Sequence, residues 1–401
     1  IDLPKDVTLQ RTAAVIELPI ERKSYQPTLF PSILQIEKLM NCLKQAKRPV
    51  VLAGAGVCAA NAAEELRLFV ETHHLPIVTT LLGLGLVPAD HPLFLGMGGM
   101  HGTYAANMAL SEADLIINIG SRFDDRLATA GSQFGQQAII AHIDIDPAEI
   151  GKVVQTTIPI VADAKAALTQ LLRYPAEELD CKEWLNRCQK RKKEHPYRYD
   201  REETKEIKPQ KLIEEVGRLT KGEAVIVTDV GQHQMWVAQY YPFRFPKQLI
   251  TSGGLGTMGY GIPAGIGAKF ACPEKTIVVF VGDGGFQMTN QEFALLNDYG
   301  LDVKFILMNN RSLGMVRQWQ ETFHNERRSA SVFAKQPNFG QLAEAYGINS
   351  VRIETPDQLT NDLANALLEP GARLIEVLIS PTEHVLPMIP PGKANHEMIG
   401  V

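Results

Sequence analysis

Short apolar runs and longer amphipathic stretches alternate along most of the chain. Residues 49–53, 76–80, 114–119 and 138–143 form runs of five or six residues rich in valine and isoleucine. Runs of that length predict strands buried on both faces. Between them, apolar positions recur at helical spacing. Ser32 is placed to cap a helix reaching Lys47, and further helices are predicted over 61–72, 103–111 and 164–172. A second series begins at Pro209, with strands predicted over 224–228, 276–281, 303–308, 350–353 and 374–379. Strands alternating with helices imply βαβ units, so the fold class is α/β with two parallel-sheet domains. The predicted division is a linker over 1–30, a first domain over 31–175, a charged linker over 176–208 and a second domain over 209–401. Residues 1–7 read as the end of a strand running into the first linker.

Composition narrows the classes. The 401 residues, 45% hydrophobic and 21% charged, suffice for two cores. A net charge of −5 without any long basic run argues against a nucleic-acid or anionic-membrane surface. No apolar run approaches the roughly 20 residues of a membrane span. Cys42, Cys58, Cys181, Cys188 and Cys272 are scattered with no CxxC, which fits free thiols in a reducing cytosol. The charges of 190–194 and 201–203 read as a solvated crossover helix and linker rather than a binding patch.

The chemistry concentrates at two strand ends in the second series. Gly282-Asp283-Gly284 closes the run 276–281, and Asn309-Asn310 closes the run 303–308. In parallel sheets, ligands sit outside the carboxyl ends of the strands. Asp283 and Asn310 therefore face one rim and offer a carboxylate and an amide oxygen, hard ligands suited to Mg²⁺. Gly282, Gly284 and Gly285 let backbone N–H groups approach a phosphate closely. Gly231-Gln232-His233-Gln234 follows another strand on the same rim and also suits a diphosphate; taken alone, His233 reads as an ordinary helix-start histidine. The segment 252–261, with glycines at 253, 254, 256, 259 and 261, is predicted to be a loop that a ligand or another backbone approaches.

The GDG…NN spacing resembles the diphosphate signature of thiamine-diphosphate enzymes. Together, TSGGLGTMGYG, GDGGFQM, MNN and GMVRQWQE resemble the catalytic subunit of acetohydroxyacid synthase (acetolactate synthase), biosynthetic FAD-containing type. The resemblance implies a thiamine-diphosphate-binding fold for the second domain. It implies Mg²⁺ held by Asp283, Asn310 and the carbonyl of Ser312, with Met258 as the wedge that bends the cofactor and the Gly256 carbonyl accepting from its aminopyrimidine. Met315 and Trp319 are spaced i, i+4 and share a helix face, which in most proteins marks two core residues. The resemblance instead places Trp319 in the pocket, favouring 2-oxobutyrate over pyruvate as second substrate. Arg327-Arg328-Ser329 departs from the family's Arg-Tyr-Ser.

The first domain is predicted to be Rossmann-like. Gly54-Ala55-Gly56 matches a dinucleotide fingerprint only loosely, and no acidic residue ends the next strand, which weighs against an NAD dehydrogenase. Residues 96–103, GMGGMHGT, are predicted to be a flexible loop before a helix, and Arg122-Phe123-Asp124-Asp125-Arg126 follows a strand. Two arginines among two aspartates form, on spacing alone, a surface salt-bridge network. Both clusters match FAD-binding stretches of the family, and the resemblance implies FAD contacts from Met100, Gly102, Arg122, Asp124, Asp144 and Asp163. Arg126 would hold the carboxylate of the second 2-oxoacid.

The implied activity is condensation of pyruvate with pyruvate or 2-oxobutyrate, with loss of CO₂. It is carried by a cytoplasmic homodimer or homotetramer with a regulatory small subunit. The family's activating glutamate lies in a separate pyrimidine-binding domain that these residues do not match, so the 401 residues alone are expected to be inactive. Pyruvate oxidase and glyoxylate carboligase share the fold and both cofactors; Trp319, Met315 and Arg126 speak against them. A flavin-free catabolic acetolactate synthase and a non-enzymatic nucleotide-binding module are the remaining alternatives.

Overall fold

A computed structural model of the chain describes residues 2–11, 26–176, 179–203 and 205–401. Two six-stranded sheets dominate, with every strand pair parallel. The first holds β1 (Pro49–Ala53), β2 (Ile77–Thr79), β3 (Phe94–Met97), β4 (Leu115–Ile119), β5 (Ile139–Asp144) and β6 (Ile158–Val161). Its order is β3-β2-β1-β4-β5-β6, the doubly wound arrangement. The second holds β7 (Val225–Thr228), β8 (Leu249–Thr251), β9 (Ile277–Gly282), β10 (Val303–Asn309), β11 (Asn349–Ile353) and β12 (Arg373–Leu378), in the order β11-β12-β10-β9-β7-β8. The central strands β1, β4, β7, β9 and β10 are buried almost throughout, as helices on both faces require.

Three strands escape the apolar-run criterion: β3, β6 and β8. All three are sheet edges. They are only three or four residues long, and β3 and β6 carry Gly96 and Pro159, residues that sheets tolerate best at their margins. As a result Gly96 and Met97 belong to a strand, and only the remainder of 96–103 is loop. Residues 5–8 form a helical turn, Lys5–Thr8, rather than a strand end. Half of the first predicted linker, residue 1 and residues 12–25, lies outside the described residues.

Within the charged segment, Lys182–Glu194 is a helix with one buried edge. Trp184 and Cys188, spaced i, i+4, pack into the core against β1 and β4, and the Trp184 indole donates to the Pro49 carbonyl at 2.9 Å. The two sheets are tied through backbone as well. Ile389 N donates to Met100 O at 2.8 Å, and Gln239 Nε2 reaches His101 O at 3.1 Å.

Candidate functional site

Strand order places the site. From β7 the chain steps to β8 on one side, then returns to β9 on the other. The crevice beyond the carboxyl ends of β7 and β9 is therefore a topological switch point, where open α/β sheets bind ligands. Its two lips are the turn 229–232 and the turn 282–285. The ring of His233 fills the gap between them: a Cβ built on Gly231 would lie 2.9 Å from it, and one on Gly282 3.1 Å. His233 is buried, and its Nε2 has no hydrogen-bond partner. Burial pulls its pKa down to about 4, partly offset by Asp229, so the ring is neutral.

Asp283 begins the helix Asp283–Thr289, and Asn310 follows β10, the neighbour of β9. Both are nearly fully buried. One Asp283 oxygen accepts from Gly284 N at 2.9 Å and the other from Gln336 Nε2 at 2.6 Å. Asn310 Oδ1 accepts from Ser312 N at 3.1 Å, and its Nδ2 donates to Gln232 Oε1 at 3.2 Å. Gln336, the Gly284 amide and the Ser312 backbone help to lower the Asp283 pKa. Desolvation nevertheless wins and pushes the Asp283 carboxyl up to about 7. Among the described residues no group of three His, Cys, Asp or Glu is placed to hold a metal ion. The site thus offers one carboxylate, one amide and a main-chain turn, a sparse oxygen set of the kind Mg²⁺ completes with phosphate and water. Asn309 plays a different part from its neighbour. Its amide donates to Glu376 on β12 at 2.7 Å and pins the strand end.

Gln232 points into this network, donating to Gln318 Oε1 at 2.8 Å and to Glu383 O at 3.1 Å. Its side chain is committed to protein partners. A cofactor there would meet its backbone and the start of the helix Gln232–Tyr240. Arg317 was not singled out by the sequence, yet it is buried behind Ser312, 3.3 Å from the hydroxyl. Gln336 was missed too. It arrives from 53 residues away, on a segment without periodicity.

The glycine-rich stretch is a loop between β8 and the helix Gly261–Ala271, as predicted. Gly256 is exposed with φ +65°, and Met258 is half-buried. A Cβ on Gly284 would lie 2.4 Å from Leu313 Cδ2 and 3.5 Å from Met258 Cε, so those side chains converge over the GDG turn. A Cβ built on Gly285 would lie 2.9 Å from the Asp229 carboxylate. Met315 and Trp319 lie on the helix Gly314–Phe323, half-buried and outside the hydrophobic cores, with Trp319 stacked edge-on to Phe323.

The first sheet has its own rim. Gly54 and Gly56 are used for internal packing, since a Cβ on either would meet the backbone at Gly120, 2.4 and 2.6 Å away. Arg122 is exposed and has no carboxylate partner among the described residues. The expected salt-bridge network reduces to one exposed pair, Arg126 and Asp125 at 3.8 Å. Asp124 caps the turn, accepting from Arg126 N and Leu127 N. Met100 N donates to Arg126 O at 2.7 Å, and Gly102 closes the same loop on Gly99. Asp144 ends β5 and accepts from Asp146 N, whereas Asp163 caps the helix Ala164–Leu171. The Met100 and Arg126 loops are thus brought together.

This arrangement of two parallel sheets, with an oxygen-rich turn at the second switch point, belongs to the thiamine pyrophosphate enzymes. Residues 36–171 match the family described as thiamine pyrophosphate enzyme, central domain, and residues 229–377 the C-terminal TPP binding domain. The acetolactate synthase large subunit of Lactococcus lactis is 53% identical over 401 residues, covering 100% of this chain and 69% of its own length. Isozyme 3 of Escherichia coli is 42% identical over 409 residues, with 99% and 71% covered. The probable acetolactate synthase large subunit of Methanocaldococcus jannaschii is 42% identical over 403 residues, with 98% and 68% covered. The chain belongs to the acetolactate synthase large-subunit family, and it is a thiamine pyrophosphate-dependent enzyme.

Proposed function

We propose that the enzyme condenses two 2-oxoacids with loss of CO₂: two pyruvates to 2-acetolactate, or pyruvate and 2-oxobutyrate to 2-aceto-2-hydroxybutyrate. This is the first common step of branched-chain amino-acid biosynthesis. The observation that carries the reading is the convergence of Asp283, Asn310 and the Ser312 turn beside the unpartnered Nε2 of His233. These residues fit a metal–diphosphate group. Asp283, Asn310 and the Ser312 carbonyl would hold Mg²⁺. His233, the Gly231 and Gln232 backbone, and Gly282, Gly284 and Gly285 would face the diphosphate. When bound, thiamine diphosphate supplies the electron sink for decarboxylation.

The chain's own residues supply shape and charge. Met258 would press on the cofactor from the loop, and the Gly256 carbonyl would accept from it. Met315 and Trp319 form an apolar wall that fits the extra methyl of 2-oxobutyrate. Arg126, exposed and only loosely paired, matches a substrate carboxylate. Arg122 offers an unpaired cation to the phosphates of FAD on the first rim, with Met100, Gly102, Asp124, Asp144 and Asp163 around it. A homodimer or homotetramer with a regulatory small subunit, placed in the cytoplasm, completes the proposal. No helix among the described residues is long and apolar enough to cross a membrane.

The deciding experiment assays the full-length enzyme with pyruvate, with and without thiamine diphosphate, Mg²⁺ and FAD. Acetolactate formed only when thiamine diphosphate and Mg²⁺ are present supports the reading. Acetyl phosphate or acetate as the product would transfer the chain to the oxidase branch, and tartronate semialdehyde formed when glyoxylate replaces pyruvate would transfer it to the carboligase branch.

A further inference from the structure

We propose that Asp229 is a positioning residue for this reaction: its carboxylate sets the spacing between the loop carrying Gly256 and Met258 and the helix that begins at Asp283. The proposal rests on the thiamine diphosphate reading of the site.

Asp229 follows β7 and is completely buried. Its carboxylate has no cation partner among the described residues. A buried carboxylate without a cation must be satisfied by hydrogen-bond donors, which then become fixed in place. Here the donors are main-chain amides. Gly259 N lies 3.0 and 2.9 Å from the two oxygens, and Gly261 N is 3.1 Å from Oδ2. Val230 N, next in the chain, adds a contact at 2.6 Å. Charged acceptors form the shorter and stronger class of such bonds.

The opposite side of the carboxylate abuts the metal helix. A Cβ on Gly285 would stand 2.9 Å from Asp229 Cγ and Oδ1, so the helix backbone passes in direct contact. Gly259 is clamped from its other side as well, because Thr289 Oγ1, at the end of the same helix, donates to the Gly259 carbonyl at 2.9 Å. Met258 precedes this clamped residue, and its methyl ends over Gly284. One carboxylate therefore fixes the loop with its oxygens and the helix by contact. A cofactor that must touch both would find their separation already set.

A purely structural role is the competing account, because Gly261 also opens the helix Gly261–Ala271. The test separates the two. In the full-length enzyme, Asp229→Asn replaces one acceptor oxygen by a donor facing amides. Thr289→Val removes the second clamp while keeping the side-chain shape, so it carries the test whether or not Asn is tolerated at 229. Hydrogen exchange of 252–261 and of β9 and β10 is followed by mass spectrometry. Thiamine diphosphate affinity is measured by calorimetry, and kcat and KM for pyruvate are measured at saturating cofactor.

Faster exchange confined to the loop is expected in both variants. For Asp229→Asn, kcat should fall about 10- to 100-fold while KM for pyruvate changes less than about three-fold, since sub-ångström misplacement acts on the reacting geometry. Thr289→Val should move the same quantities in the same direction by about three- to ten-fold. Unchanged loop exchange in the folded variants, or faster exchange with kcat intact, overturns the proposal. If the wild-type enzyme bound no thiamine diphosphate, the parent reading would fail instead, and the exchange data would still report on the clamp.

Discussion

If Asp283 holds Mg²⁺ as proposed, it sets folding against metal binding, and the conflict can be measured through Asp283→Asn. Without a divalent ion, burial holds the Asp283 carboxyl near 7 instead of the ordinary 3.8. The side chain is 1% exposed, so solvent screening does not reduce the effect. The sign follows from linkage. The folded state keeps this proton more tightly than the unfolded state, so its contribution is fully present below about pH 4 and is lost as pH rises through 7. Three pH units at about 1.4 kcal/mol each make the loss roughly 4 kcal/mol at most by pH 8. Asparagine abolishes the ionisation but keeps a single acceptor. Gly284 N or Gln336 Nε2 then loses its partner, at about 1–2 kcal/mol. Metal-free Asp283→Asn is therefore expected to be more stable than wild type by about 2–3 kcal/mol at pH 8, and less stable by about 1–2 kcal/mol at pH 4. In a domain of this size, 2–3 kcal/mol moves Tm by about 4–12 °C. Urea or thermal unfolding in EDTA from pH 4 to 8 measures the crossover, and Mg²⁺ should restore the wild type alone. Parallel stability curves for the two proteins in EDTA would refute the reasoning.

Gly314→Ala places a methyl 2.0 Å from Gln232 Oε1 and 2.7 Å from Asn310 Nδ2. It should weaken metal and cofactor binding through about 1–3 kcal/mol of overpacking, read by calorimetry. Trp319→Leu should cut the preference for 2-oxobutyrate over pyruvate by about ten-fold or more, measured by product ratio in mixed-substrate assays, with Tm nearly unchanged. Trp184→Phe leaves the Pro49 carbonyl without its 2.9 Å donor and should cost about 1–3 kcal/mol in unfolding of the first domain, with metal affinity untouched. His101 and His233 both have pKa values pulled down to about 4 by burial. Stability present above pH 6.5 should therefore fall as pH drops toward 4, and the NMR resonances of both rings should stay flat from pH 8 to 5.5.

What is legible in the sequence follows the range of each interaction. Strands β9 and β10 and the rim residues Asp283 and Asn310 were legible because a buried parallel strand is a continuous apolar run and its chemistry collects in the next one or two residues. The edges β3, β6 and β8 lacked that run, since an edge strand is half as constrained. Trp184 and Cys188 were hidden by the charge around them, although their spacing of four marks a helix face. Asp229 and Gln336 gave no local signal at all. Apart from Val230 beside Asp229, their partners lie 30, 32 and 53 residues away, and only the fold brings them together.

The two sheets use the same feature in opposite ways. At the switch point of the first, between β1 and β4, Gly56 N donates to Gly120 O at 2.9 Å, and the missing Cβ atoms of Gly54 and Gly56 let the two turns close on each other. That crevice is taken up by backbone packing. At the switch point of the second, between β7 and β9, the turns are held apart by the His233 ring on one side and the Asp229 carboxylate on the other. Each spacer is a buried polar side chain rather than an apolar one. Apolar spacers would separate the turns as well, but they would leave neither an unpartnered imidazole nitrogen at the rim nor a carboxylate to order the Met258 loop. The fold supplies the same crevice in both domains, and on the proposed reading what occupies it decides which one would take a diphosphate.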